Sequence, residues 1–292
     1  MSDYHLHLYE HGTDPARIDD VAAHIEQYVE AAARRGVTEL GFTEHLFRCE
    51  EAGPVLGEFW NAAPHEDLAD QARRAVLEDS NLRLDDYVQS ILDAKNRGLP
   101  VLLGLEVDFF PETIGAVLDL LEGIPFDYLV GSVHWVAGWG IDDSRAAYEF
   151  DRRGVLQSYA DYFAVATELA ASGVFDVLGH IDVVKKHGHR LPEEPLEMYQ
   201  RLVKAAARSE VAVEINTSGL RKPIEEMYPS PQLLKMFHEA GVPITLASDG
   251  HKPQEAGAFH DEAVALAESV GYTHKVRFAQ RVGRLVPLRS TA

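Results

Sequence analysis

Cysteine is nearly absent: Cys49 is the only one in 292 residues, so no disulfide can close within the chain and a reducing, cytoplasmic setting is expected. Basic charge is scarce too. Lys and Arg number 27 against 47 Asp and Glu, a formal net charge of −20. A chain this acidic lacks the positive surface that non-specific binding to nucleic acid or anionic lipid requires. No apolar run reaches the roughly 18 residues of a membrane span. The opening MSDYHLHLYEHG has neither a basic nor an apolar leader region, so no secretory signal is expected. No repeat, low-complexity tract or Gly/Ser linker interrupts the chain, and one domain over residues 1–292 is expected.

What the chain does have is 14 histidines and 46% hydrophobic residues, enough for one large core. Short apolar runs at 3–8, 38–45, 101–109, 128–135, 177–182, 211–217 and 244–249 alternate with amphipathic stretches. In the first stretch Ile18, Val21, Ala22, Ile25, Tyr28, Val29 and Ala32 follow the spacing of one buried helix face. Seven strands, each followed by a helical segment, predict an α/β fold with a parallel sheet closed as a (βα)7 barrel. The step after the second strand is long. Residues 46–84, with Gly53, Pro54, Gly57, Trp60 and Pro64, read as an inserted lid or surface excursion. The tail around Gly283 reads as a closing strand pair over 272–289.

Strand side chains alternate between faces, so the histidines can be placed by parity. Asp3, His5 and His7 fall opposite Tyr4, Leu6 and Leu8; Glu106 and Asp108 fall opposite Leu105 and Val107. Leu178, His180 and Asp182 oppose Val177, Gly179 and Ile181. The same count pairs Thr43 with His45, Ser132 with His134, Glu214 with Asn216, and Asp249 with His251. In a barrel this polar face points inward, at the C-terminal strand ends that carry active sites. A lone inward histidine is more often a hydrogen-bonded core residue than a ligand. Six of them, His5, His7, His45, His134, His180 and His251, joined by Glu106 and Asp249, form a metal-ligating cup of imidazole and carboxylate suited to Zn, Fe or Mn. His24, His238, His260 and His274 lie in helical or tail segments and read as solvated.

The motifs DYHLH, FTEH, GLEVDF, GSVHW with GWGID, GHID, EINTSGLRK, MYPSPQLL and ITLASDGH run in order from Asp3 to His251. They resemble the polymerase-and-histidinol-phosphatase (PHP) superfamily, in its histidinol-phosphatase branch. The resemblance implies a distorted (βα)7 barrel of the PHP type with two or three divalent metal ions. By position, His5, His7, Glu106 and Asp249 would hold one metal, Glu106 bridging to a second on His134 and His180. A third would take His45, His251 and a residue from the loop after the first strand. The family often places that residue six positions beyond the second His of the first motif. This chain offers His11, four on, or Asp14, seven on, and His11 is the expected ligand.

Such a centre implies hydrolysis of a phosphate monoester by metal-activated water, with no Ser or Cys nucleophile. His45 and Glu106 then belong to the catalytic set, with Asp14 as proton donor to the leaving alcohol; its alternative role is a helix cap before Pro15. A cationic clamp on the phosphate is expected from Lys185, Lys186, Arg221 or Lys222. Glu58, Glu66, Asp67, Asp142 and Asp143 are candidates for an acidic lip that accepts a cationic leaving group. The resemblance implies L-histidinol phosphate as the small phosphorylated substrate, in histidine biosynthesis. The competing readings are a PHP-type phosphoesterase acting on a nucleotide, sugar phosphate or phosphodiester, a metal-stabilised module without catalysis, and a metal amidohydrolase.

Overall fold

A computed structural model describes residues 1–289. Seven parallel strands form one sheet in sequence order: β1 (Ser2–Leu6), β2 (Glu39–Phe42), β3 (Val101–Asp108), β4 (Tyr128–Ser132), β5 (Val177–Leu178), β6 (Ala212–Asn216) and β7 (Ile244–Ala247). The sheet curls until its edges meet. Beyond the strand ends Asp249 N donates to the His5 carbonyl at 2.8 Å and His7 N to the Gly250 carbonyl at 2.9 Å. The expected (βα)7 barrel is thus present, nearly closed by those two bonds.

Each strand is followed by a helix that packs on the barrel: α1 (Val21–Ala33), then α2 (Glu66–Asp79) and α3 (Leu84–Asn96), α4 (Ile114–Leu121), α5 (Val155–Ala171), α6 (Leu196–Ser209), α7 (Pro231–Glu239) and α8 (His260–Val270). Local chemistry sets several boundaries. Asp20 caps α1 by accepting from Ala23 N, and buried Ile25, Tyr28, Ala31 and Ala32 form its core face. Ser230 caps α7 by accepting from Leu233 N, with Pro231 in the first helical position. Residues 46–84 fold into short helical turns and α2, whose Leu68, Ala72 and Val76 are buried. Two strands, β8 (His274–Ala279) and β9 (Val282–Pro287), form a separate antiparallel hairpin rather than joining the barrel sheet. None of the described helices is long and apolar enough to cross a membrane.

Strand parity fails within β1 and β5. In β1 the pairing register with β2 shifts between Asp3 and Leu6. Tyr4 therefore packs with Tyr128, Val130, Val177 and Phe278 in a small cluster separate from the main core, while Leu6 and Leu8 join the main core under the helices. A register slip of this kind moves a side chain to the other face. Asp3 leaves the cup: it accepts from Ser248 N and Oγ and from Gly257 N. In β5, Val177 belongs to the Tyr4 cluster and Leu178 to the main core, the reverse of the expected faces. The strand ends at Leu178, and His180 takes a φ of 22°. That turn, costly for a residue with a Cβ, swings the imidazole back into the cup. The expectation for His260 also fails, because it is buried and bonded through Nε2 to the Ser2 carbonyl at 3.0 Å.

Below the cup the barrel is plugged by Tyr128, stacked on Tyr4 at 5.2 Å and donating to the Tyr4 carbonyl at 2.8 Å. A Cβ on Gly41 would lie 1.7 Å from the Tyr128 hydroxyl. Gly41→Ala should therefore destabilise the protein by about 1–3 kcal/mol in chemical denaturation. Gly53→Ala, where a Cβ meets nothing within 4 Å, is the control expected to stay near wild type.

Candidate metal centre and adjoining cavities

The longest barrel strand, β3, carries Glu106 to the centre of the cup, fully buried. Around it, measured to either carboxylate oxygen, stand His45 Nδ1 at 2.7 Å, His180 Nε2 at 3.0 Å, His5 Nε2 at 3.4 Å, and His7 Nε2 and His134 Nε2 at 3.6 Å. Asp249 Oδ1 lies 3.5 Å from His7 Nε2. His251 stacks on His7 with ring centres 4.1 Å apart. Asp249, like His180, is a non-glycine residue on left-handed backbone, at a φ of 51°. Backbone strain at two neighbouring cup residues is the pattern of a functional site.

The donor set fits divalent cations. Four groups of three side chains each hold their donor atoms within 4.8 Å of one another: His7, His45 and His251; His5, His7 and Glu106; His5, His180 and Asp249; His45, Glu106 and His134. Several of these atoms, His5 Nε2, His7 Nε2, His45 Nε2 and His251 Nε2, are buried without a hydrogen-bond partner among the described residues. Orphaned donors and acceptors are rare in folded proteins, so a convergent set of them marks a ligand site.

Carboxylates stand behind the imidazoles. Glu214 lies 2.9 Å from His5 Nδ1 and accepts from His180 N, while Asp108 lies 2.6 Å from His134 Nδ1. Ser132 Oγ donates to Glu106, and Ser218 Oγ and Asn216 Nδ2 donate to Asp249. Such outer contacts fix the tautomer and direction of a ligand imidazole. Glu44 was not anticipated. Parity set it opposite His45, but β2 ends at Phe42 and the chain then turns, so Glu44 sits fully buried 3.5 Å from His7 Nδ1. Burial favours its neutral form, yet the His7 contact and Arg48 outweigh that and hold Glu44 near pKa 2.

Other expected residues scatter. His11 is at the rim, half exposed, its ring 5.0 Å from that of His45. Asp14 is exposed and accepts from Ala16 N, capping the turn that follows; it lines neither cavity at the cup. Lys185 is also elsewhere, buried in bonds to Asp182, Glu226 and the Met227 carbonyl. Lys186, Arg221 and Lys222 do line the cup. Two cavities open on it, of about 300 Å³ and about 450 Å³, sharing His11, His45, His134, Asp142 and Lys186. Glu58, Glu66 and Asp67 line neither, whereas Asp142 lines both and Asp143 the larger.

A nearly closed seven-stranded βα barrel with a polynuclear ligand set at its C-terminal end defines the class. Within it, residues 5–218 match the family model of the PHP domain, and the chain belongs to that family. A Deinococcus radiodurans protein named "probable histidinol-phosphatase" is 34% identical over 93% of this chain and 94% of its own. The Bacillus subtilis histidinol-phosphatase is 26% identical over 80% of this chain and 89% of its own. Among solved structures, the Lactococcus lactis histidinol phosphate phosphatase, complexed with zinc, L-histidinol and phosphate, superposes with a TM-score of 0.72 at 21% identity, covering 97% of this chain and 98% of that one.

Burial and the neighbouring His7 hold His45 and His251 below the ordinary imidazole range, whereas other cup imidazoles are drawn towards protonation. Burial would drive His134 neutral, but Asp108 and Glu106 prevail and push it up to about 10; His5 rises likewise against burial because of Glu214 and Glu106. A raised imidazole pKa means protonation near neutral pH, whereas a ligand imidazole must be neutral. Loading zinc onto metal-free protein at about pH 7 should therefore release protons and tighten as pH rises. Calorimetry in buffers of different ionisation enthalpy reads the release, and heats independent of buffer would contradict it.

Proposed function

We propose that this protein is a metal-dependent phosphomonoesterase, a histidinol-phosphatase that converts L-histidinol phosphate to L-histidinol and phosphate. One observation carries the reading: the two cavities on the shared rim have different charge balances. The smaller one is lined by four carboxylates and four Lys or Arg side chains, so any cation held in the cup makes it positive. The larger one has four carboxylates against two such cations, with Phe47 and Trp135 in its wall. A phosphate fits the first, and a cationic, partly aromatic alcohol fits the second. Histidinol, with its ammonium and imidazole, has that chemistry, and the relatives named above support it.

His5, His7, Glu106 and Asp249 would hold one divalent ion, Glu106, His134 and His180 a second, and His45, His251 and His11 a third, with Zn, Fe or Mn all compatible with the donors. When bound, such ions supply an activated water and neutralise phosphoryl oxygens. The chain itself fixes the ester. Arg221 is anchored through Nη2 on the Ser248 and Asp249 carbonyls at 2.9 and 3.1 Å, while its buried Nη1 has no partner among the described residues. That nitrogen is the phosphate donor. Lys222 stands beside it without a carboxylate partner among the described residues; burial first, then Lys186, lowers its pKa. Lys186 is held at 2.8 Å from Asp142, placing a cation on the boundary of the two cavities. Asp142 and Asp143 face the leaving alcohol. No role is assigned to Asp14 or Lys185. Cytoplasmic action on a small phosphorylated metabolite, without nucleic acid or membrane as partner, belongs to the same reading.

Release of phosphate from metal-loaded enzyme tests it, over a panel of histidinol phosphate, aryl phosphates and bis-aryl diesters. Preference for histidinol phosphate is expected, and preference for the diester would overturn the assignment in favour of a phosphodiesterase. Arg221→Met removes a charged hydrogen bond of about 1.5–3 kcal/mol, so kcat/KM should fall about 10–100-fold. Asp142→Asn with Asp143→Asn should raise KM for histidinol phosphate more than for a neutral aryl phosphate.

A further inference from the structure

The excursion does more than wall the larger cavity. From the last turn of α2, Asp79 reaches the rim of the cup, where its Oδ2 lies 2.6 Å from His11 Nδ1 and its Oδ1 accepts from Gly12 N at 2.7 Å. Behind it lies Arg48, fully buried, with Nη2 3.6 Å from Asp79 and Nη1 3.3 Å from Glu44. The same guanidinium donates to the carbonyls of Tyr9, Glu10 and Thr13, so the loop that bears His11 is tied to the excursion. One buried arginine thus joins two carboxylates, and each carboxylate meets one cup imidazole at Nδ1: Glu44 at His7, Asp79 at His11.

A carboxylate against Nδ1 makes that nitrogen the donor and leaves the Nε2 lone pair for a cation. The His11 ring lies 5.0 Å from that of His45 and 4.8 Å from that of His251, and both of those residues have a buried Nε2 without a partner among the described residues.

We propose that Asp79 is a positioning residue for the metal centre, fixing His11 in the tautomer that presents Nε2 to a cation shared with His45 and His251. The excursion thereby completes the outermost metal position instead of only covering it. The inference rests on the cup being a metal centre and is independent of which ester is hydrolysed.

Zinc binding without substrate separates the two. Wild type, Asp79→Asn, His11→Ala and the double variant are titrated with zinc against a competing chelator, and bound zinc per chain is measured. The affinity of the weakest zinc should fall about 10–100-fold in Asp79→Asn, the usual cost of losing an outer-shell partner. The tighter zinc ions should be retained. His11→Ala should lose the weak zinc, the double variant should bind as His11→Ala does, and Asp79→Glu should recover part of the affinity. If Asp79→Asn weakens zinc equally with His11 absent, Asp79 acts through the fold alone and the proposal is wrong. Unchanged zinc binding in His11→Ala, or no weak zinc in wild type, overturns it too. Absence of phosphatase activity would leave this result standing and remove only the substrate assignment.

Discussion

Burial of the Glu106 carboxylate is the constraint around which the barrel is organised. An ionised carboxylate taken out of water costs several kcal/mol unless positive charge or donors meet it. Here five imidazoles and the Ser132 hydroxyl approach it within 3.6 Å, from β1 and the ends of β2, β4 and β5. These elements are far apart in the chain, and only closure of the barrel brings them together. The bonds that close it, Asp249 N to His5 O and His7 N to Gly250 O, are made by the backbone of cup residues and their immediate neighbour. The contacts that close the barrel therefore also hold the cup together. Strain at His180 and Asp249 is tolerated because the surrounding cup fixes both.

The net charge of −20 is then only partly a surface property. Glu44, Glu106, Asp108 and Glu214 are buried and directed at imidazoles, and Asp3 ties β1 to the segment after β7. Each inner carboxylate favours a protonated imidazole in the metal-free chain. A cation held in the cup would replace those protons, so histidine and acid content form one electrostatic unit that a formal count separates.

Much of this was legible in the sequence because barrel strands are regular. Alternation put Glu106, Asp108 and Ser132 on the inner face, and their chain order put them at one end. It failed where strands stop being regular. The slip in β1 sent Asp3 outward and Tyr4 inward; the short β5 inverted Leu178; and the turn after Phe42 buried Glu44 beside His7. His180 reached the cup through a positive φ, although the parity argument that placed it there did not hold. Asp79 and Arg48 had no local signal at all. Their role depends on how an irregular segment of chain folds back, and no periodicity encodes that. Lys185 and Asp14 show the converse, since position near a strand end or motif says nothing about which partner claims a side chain first.

The two cavities also set the direction in which a substrate lies. Asp142 and Lys186 are paired on the rim they share, so the boundary between the balanced smaller cavity and the acidic larger one falls at one ion pair. A phosphate turned towards the larger cavity would meet Glu78 and Asp143; both carboxylates are shared with Arg145, which weakens that repulsion without reversing the local balance. Turned towards Arg221 and Lys222 it would meet two cations, the first of them already anchored on the Ser248 and Asp249 carbonyls. Specificity of this kind comes as much from the unfavourable orientation as from the favourable one. The excursion and the GWGID segment lie side by side along the larger cavity. Asp79 and Glu78 come from the first and Asp142 and Asp143 from the second, so the acidic wall of the larger cavity is built from both segments.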